Sequence, residues 1–413
     1  MTQIKKFLPT LSKIFLALLI ALTINIFFSL RKAKTQNKIL ILTSTGGGGH
    51  LAASNAIEAQ LKNSYQVDTV NVFKDLLRPL DPFSYLTLNR YSGEEIYNSF
   101  VPNKSFRILS LFYYVGAWFM QLKHKEIQQL LEEYFIQTKP LLIISVIPLI
   151  NNIILDAAQE LNIPFVMVPT DLNVKMYLRK LKDPTYKHFE ICLPFDDPEI
   201  MAPLKKANIP DNQIAIVGAP LKPDFFEPKN RFFLKVKLGI PRNKPVVMVL
   251  MGAQGSDIEN YTAELMNIEQ PVHLILCFGK NEESKQIVSQ FTFPSHITTS
   301  LVGFTTRISD YMAVSDLLLT KSGTLSVCEA IYMNLPMLLD ATSTILPWEK
   351  FNHTFVKDHN FGDSITEYFM IAPMVSSLLT NRSKLIEYKK NLKAFKKPKN
   401  KQSMKQLIRT MLQ

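Results

Sequence analysis

The sequence has few cysteines and shows no histidine arrangement typical of a metal site. Only Cys192, Cys277 and Cys328 occur among 413 residues, and their odd number and wide spacing argue against a disulfide scaffold. We therefore expect buried thiols in a reducing compartment. The seven histidines have no paired spacing with Cys, Asp or Glu, so the sequence predicts neither a bound metal nor a cofactor.

Both ends of the chain are poor in acidic residues. Residues 1–38 contain seven basic residues and no acidic one, and residues 382–409 contain eleven basic residues against the single acid Glu387. Because the formal net charge of the whole chain is +12, the region between the ends is mildly acidic. This distribution favours contact with an anionic membrane surface over nucleic-acid binding.

An uncharged apolar run, residues 14–30, lies between basic residues near the amino terminus. As a helix it would extend about 26 Å, just enough to cross a thin hydrocarbon core. No small-x-small cleavage site follows it, which favours an uncleaved signal anchor over a signal peptide. We therefore expect a single-pass membrane anchor at residues 1–36, with the folded part in the cytoplasm.

Beyond the anchor, short apolar runs alternate with longer amphipathic stretches, which is typical of parallel α/β layers. The length predicts two domains, and the proline-rich residues 218–230 are the best linker candidate. We predict Rossmann-like domains at residues 37–217 and 218–375, followed by a basic helical tail at residues 376–413. Ligands of such sheets bind where the strand carboxyl ends face a cleft.

The most informative stretch of the first domain is TSTGGGGHLAAS, residues 43–54. Gly47, Gly48 and Gly49 allow the backbone to approach a ligand closely, and the following helix offers free N–H groups. The spacing fits neither a dinucleotide fingerprint nor a phosphate-binding loop with its lysine. His50 at the helix start is a candidate base for a sugar or lipid hydroxyl, although a helix-start histidine without a chemical role is the alternative.

In the second domain the informative stretch is DLLLTKSGTLSVCEAIYMNLPMLL, residues 316–339. It predicts a strand, a loop and a helix whose start receives a diphosphate through Ser322, Gly323 and Thr324. Glu329, further along the helix, is placed to accept hydrogen bonds from ribose hydroxyls. An ordinary βα unit with a solvent-facing glutamate explains the same residues when they are taken alone.

Together these stretches resemble the family 28 glycosyltransferases, and most of all the monogalactosyldiacylglycerol synthases and processive diacylglycerol glucosyltransferases. The resemblance extends from about residue 38 to residue 363 and includes the glycine loop with Gly252, Gln254 and Gly255. It implies a GT-B fold with an N-terminal acceptor domain and a C-terminal nucleotide-sugar domain. It further implies inversion at the anomeric carbon, no metal in the site, and a uracil held near Phe304.

The chain departs from this family at two places. Where family members have a glutamine before the glutamate that binds the sugar, this chain has Trp348, followed by the retained Glu349 and Asn352. An indole offers one donor and a stacking face instead of two amide hydrogen bonds, so the donor sugar stays open. After the Thr-Asp pair that ends in Asp171, family members often have a histidine, and the nearest candidate here is Lys175.

The function that the resemblance implies is transfer of a hexose from a UDP-sugar to a membrane lipid, with diacylglycerol as the expected acceptor. Open alternatives are N-acetylglucosaminyl transfer to a polyprenyl-linked lipid, a UDP-sugar epimerase, and a non-catalytic nucleotide-sugar-binding membrane protein. An aromatic and basic segment, residues 105–123, fits a helix at a bilayer interface that admits lipid. A buried core helix explains its apolar residues equally well.

Overall fold

A computed structural model describes residues 38–46, 48–88, 90–100, 106–181, 184–252, 255, 257–398 and 400–413. Two β-sheets of six strands each organise this part of the chain. Neighbouring strands within each sheet run parallel. The predicted α/β class with two Rossmann-like sheets is therefore confirmed, whereas the exact domain boundaries stay a prediction.

The first sheet has the strand order β2-β1-β3-β4-β5-β6. Its strands are β1 (Lys38–Thr43), β2 (Gln66–Asn71), β3 (Leu142–Ser145), β4 (Phe165–Met167), β5 (Phe189–Leu193) and β6 (Ile214–Ile216). Strands β1, β3 and β4 are almost entirely buried. Parallel strands covered on both faces need such continuous apolar runs, which is why these strands are visible in the sequence.

Helices cover both faces of this sheet. They are α1 (Gly49–Leu61), α2 (Pro82–Leu86), α3 (Gly93–Phe100), α4 (Phe106–Leu122), α5 (His124–Thr138), α6 (Asn151–Glu160) and α7 (Pro198–Lys206). Short helical turns lie at Val72–Leu76, Arg78–Leu80, Val174–Met176 and Asp211–Gln213. The sequence predicts one long helical region at about residues 85–137, whereas the structure has several separate helices there.

The second sheet has the order β12-β11-β10-β7-β8-β9. Its strands are β7 (Val246–Leu250), β8 (Val272–Gly279), β9 (Ile297–Gly303), β10 (Leu317–Thr320), β11 (Met337–Asp340) and β12 (Gly362–Ile365). The sequence predicts strands at residues 246–251, 272–278, 298–302, 316–320 and 336–340, which correspond to all of these except β12. That edge strand is only four residues long and contains Asp363 and Ser364, so it has no apolar run to reveal it.

The helices of the second half alternate with its strands. They are α8 (Arg231–Lys237), α9 (Ile258–Leu265), α10 (Glu282–Ser289), α11 (Ile308–Val314), α12 (Thr324–Tyr332), α13 (Lys350–Asp358), α14 (Ile371–Thr380), α15 (Arg382–Ala394) and α16 (Asn400–Met411). Short turns at Pro223–Phe226 and Tyr368–Met370 complete the described elements. The predicted linker, residues 218–230, contains the first of these turns and no longer element.

Each sheet changes winding direction beside its first strand. In the first sheet β1 lies between β2 and β3, and in the second β7 lies between β10 and β8. The loops that leave such neighbouring strands in opposite directions open a crevice at the strand carboxyl ends. The glycine loop before His50 lies at the first of these crevices, and the loop with Ser322 lies at the second.

The basic tail is part of the folded structure. Tyr388 of α15 is buried in the core of the second sheet, and Met404 and Ile408 of α16 are buried with Ile39 and Ile41 in the core of the first. Its basic residues therefore alternate with side chains that pack against both halves, and the chain end returns to the sheet where the described residues begin.

The predicted localisation as a single-pass membrane protein needs correction. Within the part of the chain that the structure describes, every helix is too short or too polar to cross a bilayer. The apolar run at residues 14–30 lies outside the described residues. The structure thus gives no support to an N-terminal transmembrane helix or to the location derived from it.

The three cysteines are free and buried, as the sequence predicts. Burial raises the pKa of the Cys277 thiol to about 12, and it also raises the pKa of Cys192 and Cys328. A thiol must lose its proton to become a nucleophile or a metal ligand. These side chains therefore act as small apolar core groups.

Candidate active site

His50 lies in the first turn of α1, directly behind the glycine loop. Gly48 has a positive φ of 75° and precedes the helix without a side-chain cap; a residue with a β-carbon is strained there. The Nδ1 atom of His50 is 2.8 Å from the carbonyl oxygen of Val146, at the end of β3. Because a carbonyl only accepts, Nδ1 carries the proton and Nε2 of the neutral ring has the free lone pair.

The imidazole of His50 is uncharged near neutral pH. Burial lowers its pKa to about 4, although the hydrogen bond to Val146 and the negative charge of Glu94 both act in the opposite direction. Desolvation disfavours the charged ring. His50 is therefore available as a hydrogen-bond or proton acceptor, in the form that general base catalysis requires.

A buried network fixes the side chain next to His50. The hydroxyl oxygen of Thr170 lies 3.0 Å from His50 Nδ1 and 2.7 Å from the Tyr177 hydroxyl. The Tyr177 hydroxyl also accepts the backbone N–H of Thr170 at 3.1 Å. Tyr177 is fully buried, so Thr170 has little freedom to move. The histidine ring is consequently held from two sides, by Val146 and by Thr170.

Glu94 of α3 binds the glycine loop, and the sequence analysis did not identify it. Its Oε1 accepts the Ser44 hydroxyl at 2.5 Å and the backbone N–H groups of Thr45 at 2.5 Å and Gly46 at 2.9 Å. Its Oε2 accepts the Asn71 side-chain amide at 2.8 Å. Nothing in the local sequence distinguishes Glu94 from Glu95, because these partners are remote in the chain.

The corresponding loop of the second half precedes α12. Gly323 is the N-cap of this helix and provides no side-chain cap, which leaves N–H groups of the first turn available to an anion. The Ser322 hydroxyl donates to Glu349 at 3.2 Å. The loop therefore combines backbone donors, hydroxyl groups and one carboxylate, and this composition suits a phosphate-bearing ligand.

The buried side chain of Asn352 holds this loop through hydrogen bonds. Its side-chain nitrogen donates to the carbonyl oxygen of Ser322 at 2.6 Å and to the Thr324 hydroxyl at 3.0 Å. Asn352 is fully buried, and its Oδ1 atom has no hydrogen-bond partner among the described residues. The donor face of the amide thus orients Ser322 and Thr324, while the acceptor face is unsatisfied.

The two halves of the site meet at Asp171. The Thr324 hydroxyl donates to Asp171 Oδ1 at 3.4 Å, and Asp171 follows Thr170, which contacts His50. Burial and the negative charge of Glu349 raise the pKa of Asp171 to about 7. Burial also raises the pKa of Glu349. His50, Asp171, Glu349 and the start of α12 therefore lie around one cleft.

The other predicted donor residues lie on separate elements of the second half. Gly252 and Gly255 follow β7 with positive φ values of 76° and 55°, and a Cβ on Gly255 would lie 2.3 Å from the Phe278 carbonyl oxygen. Phe304, just beyond β9, is 64% exposed. Burial raises the pKa of Glu329 in α12 to about 8. Gln254 and Gly47 lie outside the described residues.

Trp348 contacts the N-terminal half. Its ring packs against Tyr113 of α4, with centroids 5.1 Å apart and planes at 39°.

Among the residues with described positions, no group of three or more His, Cys, Asp or Glu side chains could hold a metal ion.

Comparison with known proteins agrees with this arrangement. Residues 246–341 match the glycosyltransferase family 28 C-terminal domain, and residues 50–221 match monogalactosyldiacylglycerol (MGDG) synthase. The processive diacylglycerol beta-glucosyltransferase of Bacillus subtilis is 24% identical over 372 residues, which cover 87% of this chain and 91% of that protein. Monogalactosyldiacylglycerol synthase 1 of Arabidopsis thaliana is 26% identical over 336 residues, 75% of this chain and 59% of that protein.

Among solved structures, MurG of Acinetobacter baumannii superimposes with a TM-score of 0.60 at 14% identity, over 91% of this chain and 99% of that one. This likeness shows the fold, which is the predicted GT-B arrangement of two parallel sheets. The two sequence matches cover the glycine-loop half and the nucleotide-sugar half in the predicted order. The chain therefore contains a glycosyltransferase family 28 C-terminal domain at residues 246–341, preceded by a segment, residues 50–221, that matches monogalactosyldiacylglycerol synthase.

Proposed function

We propose that the protein transfers a hexose from a UDP-sugar to diacylglycerol, with inversion at the anomeric carbon. The observation that carries this proposal is the convergence of His50 and the start of α12 on one cleft through the Thr170 and Asp171 contacts. One half thus provides a neutral base and the other an anion site. The diacylglycerol glycosyltransferases among the relatives support the choice of acceptor.

In this mechanism His50 acts as the general base. Its Nε2 accepts the proton of the acceptor hydroxyl while the hydroxyl oxygen attacks the anomeric carbon. The bond from that carbon to the diphosphate oxygen breaks, and UDP leaves with the electron pair. The nearby charge of Glu94 raises the pKa of His50, so it stabilises the imidazolium that forms.

The donor is held by the second half. The free N–H groups at the start of α12 and the hydroxyls of Ser322 and Thr324 receive the diphosphate, whose charge grows as the bond breaks. Glu329 binds the ribose hydroxyls, and the uracil lies near Phe304. Glu349 and Trp348 face the sugar. No metal takes part in this scheme.

The acceptor reaches the cleft along α4, which we propose to lie on an anionic membrane surface. Leu111, Val115, Trp118 and Leu122 recur at helical spacing on one face and are 65%, 46%, 59% and 59% exposed, whereas Ala117 is fully buried. One face of α4 thus fits the interpretation as a helix at a bilayer interface, and another face fits the interpretation as a core helix. An exposed apolar face at a lipid-consuming site fits a bilayer interface.

Replacement of His50 tests the reaction and its base together. His50→Ala should lower kcat for transfer of labelled hexose from UDP-glucose or UDP-galactose into organic-solvent-soluble product by about 10²- to 10⁴-fold. His124→Gln, which alters a half-buried histidine on α5 that bonds Asp156, is the matched control. Near-normal turnover of a folded His50→Ala protein would rule out His50 as the base. A polyprenyl acceptor preferred over diacylglycerol in the same assay would redirect the acceptor assignment.

Removal of the Glu94 carboxylate should loosen the glycine loop and misplace His50. We expect Glu94→Ala to lower kcat by about 10- to 100-fold with little change in the KM for the UDP-sugar, because the donor binds the other half. Glu95→Gln is the control, since Glu95 accepts hydrogen bonds from Ser92 at the start of its own helix. An unchanged kcat in Glu94→Ala would show that the loop keeps its geometry without this carboxylate.

Donor binding should depend on pH through Asp171. Its raised pKa of about 7 means that the carboxyl becomes charged as the pH rises through 7, and it then repels the diphosphate. Calorimetry should show the dissociation constant of a UDP-hexose increasing between pH 6 and pH 9, by at most about tenfold per pH unit. Asp171→Asn should remove the part of this dependence that is centred near pH 7, whereas the part that Glu329 contributes near pH 8 should persist. Asp211→Asn, at an exposed position, should keep both parts. The same pH dependence in Asp171→Asn contradicts this role.

Membrane contact through α4 is testable with a chain that begins at residue 38, which removes any contribution of the apolar run. Replacing Leu111 and Trp118 by serine should reduce sedimentation with vesicles of phosphatidylglycerol and phosphatidylcholine by about tenfold or more. Ile136→Ser is the control, because Ile136 is 57% exposed on α5. Equal sedimentation of both proteins would show that α4 is not the lipid-binding face.

A further inference from the structure

The contact between Tyr113 and Trp348 joins elements with different predicted tasks. Tyr113 lies on α4, the helix of the acceptor side, whereas Trp348 directly precedes Glu349 in the loop that the family uses for the donor sugar. Their rings are 5.1 Å apart, centroid to centroid. A residue of the N-terminal half thus borders the sugar loop of the C-terminal half.

The hydroxyl of Tyr113 is buried and has no hydrogen-bond partner among the residues whose side chains are described. A buried polar group without a partner costs stability and calls for an explanation. Burial and the negative charge of Asp171 raise the pKa of Tyr113, so the hydroxyl keeps its proton. It is a neutral donor near Asp171, at the meeting point of the two halves.

A second tyrosine borders the same space. Burial and the charges of Glu349 and Asp171 raise the pKa of Tyr97, which places Tyr97 close to both carboxylates. A Cβ on Gly46 would approach the Tyr97 ring to 4.0 Å. The cleft therefore contains aromatic rings beside carboxylates, and this combination can stack on a sugar ring and hydrogen-bond its hydroxyls.

The Tyr113 hydroxyl can form the hydrogen bonds that a glutamine in the sugar loop would form and that Trp348 does not. An amide side chain forms hydrogen bonds as donor and acceptor, whereas the Trp348 indole has a single N–H donor. A hydroxyl is both donor and acceptor. Tyr113 thus brings back, from the opposite side of the cleft, the kind of group that the loop has lost.

We propose that Tyr113 is a specificity-determining residue of the donor-sugar site, where its hydroxyl binds a hydroxyl of the hexose and Trp348 supplies an aromatic face. This inference rests on the proposed transfer from a UDP-hexose. The donor site is then complete only when α4 lies against the sugar loop. The helix that faces the lipid thus also contacts the donor sugar through Tyr113.

The variant Tyr113→Phe removes the hydroxyl and keeps the ring. In the full chain we expect kcat/KM for the preferred UDP-hexose to fall about tenfold, the preference between UDP-glucose and UDP-galactose to shrink, and the affinity for UDP alone to stay the same. Tyr134→Phe is the matched control. Tyr134 lies on α5, where its ring packs beside Phe135, and this variant should behave as the unaltered protein.

The possible results distinguish a role of Tyr113 in sugar specificity from a structural role. Unchanged kcat/KM and unchanged sugar preference in Tyr113→Phe overturn the inference, and so does an equal loss of UDP affinity, which indicates a structural defect. If Trp348→Gln in the Tyr113→Phe background restores part of kcat/KM, the shared role is supported; no restoration overturns it. Failure of the unaltered protein to transfer any hexose to lipid contradicts the proposed function instead.

Discussion

Two adjacent residues, Thr170 and Asp171, connect the chemistry of the two halves. They follow β4, and Thr170 contacts His50 while Asp171 accepts a hydrogen bond from Thr324. The fully buried Tyr177 holds Thr170 through two hydrogen bonds. Because one planar peptide unit joins these two residues, the contact of the Thr324 loop lies next in the chain to the contact of His50. This segment therefore links the surroundings of His50 to the start of α12.

The same segment concentrates negative charge. Burial, together with the negative charge of Glu349, raises the pKa of Asp171 to about 7. Opposite them, the uncapped start of α12 and the hydroxyls of Ser322 and Thr324 favour an anion. A nucleotide diphosphate would accept hydrogen bonds from the start of α12, Ser322 and Thr324, but it would be repelled by the charged carboxylates of Asp171 and Glu349. The cleft is therefore electrostatically balanced only with a proton on a carboxyl group or with the carboxylates turned from the ligand.

The sequence predicted most of the fold for a clear physical reason. The central strands, such as β1, β3, β7 and β10, are runs of apolar residues because parallel strands in the interior of a sheet are covered on both faces; the edge strand β12 lacks such a run and was not predicted. Local patterns also placed His50 and the Ser322 loop correctly at the ends of β1 and β10. The contacts of Glu94, Asn352 and Tyr113 were not predictable, since each joins residues that are remote in the chain and none has a local signature.

The basic tail shows the same limit in another way. Its composition suggests a solvated, charged surface, but Tyr388, Met404 and Ile408 recur among the lysines and are buried. Composition averages over a helix, whereas burial depends on which face the apolar residues share. The charge count of the basic tail therefore does not reveal that one side of its helices packs against the two sheets.

Trp348 shows how a departure in sequence gains meaning from its neighbours in space. Considered along the chain, the change from glutamine to tryptophan removes hydrogen bonds from the sugar loop. In the fold, the indole packs on Tyr113 of α4, whose outer face exposes Leu111, Trp118 and Leu122. If α4 changes position when these side chains enter a bilayer, the sugar loop loses or gains its aromatic partner. Under the roles proposed for Tyr113 and for the exposed face of α4, donor recognition and lipid contact are then coupled through one helix.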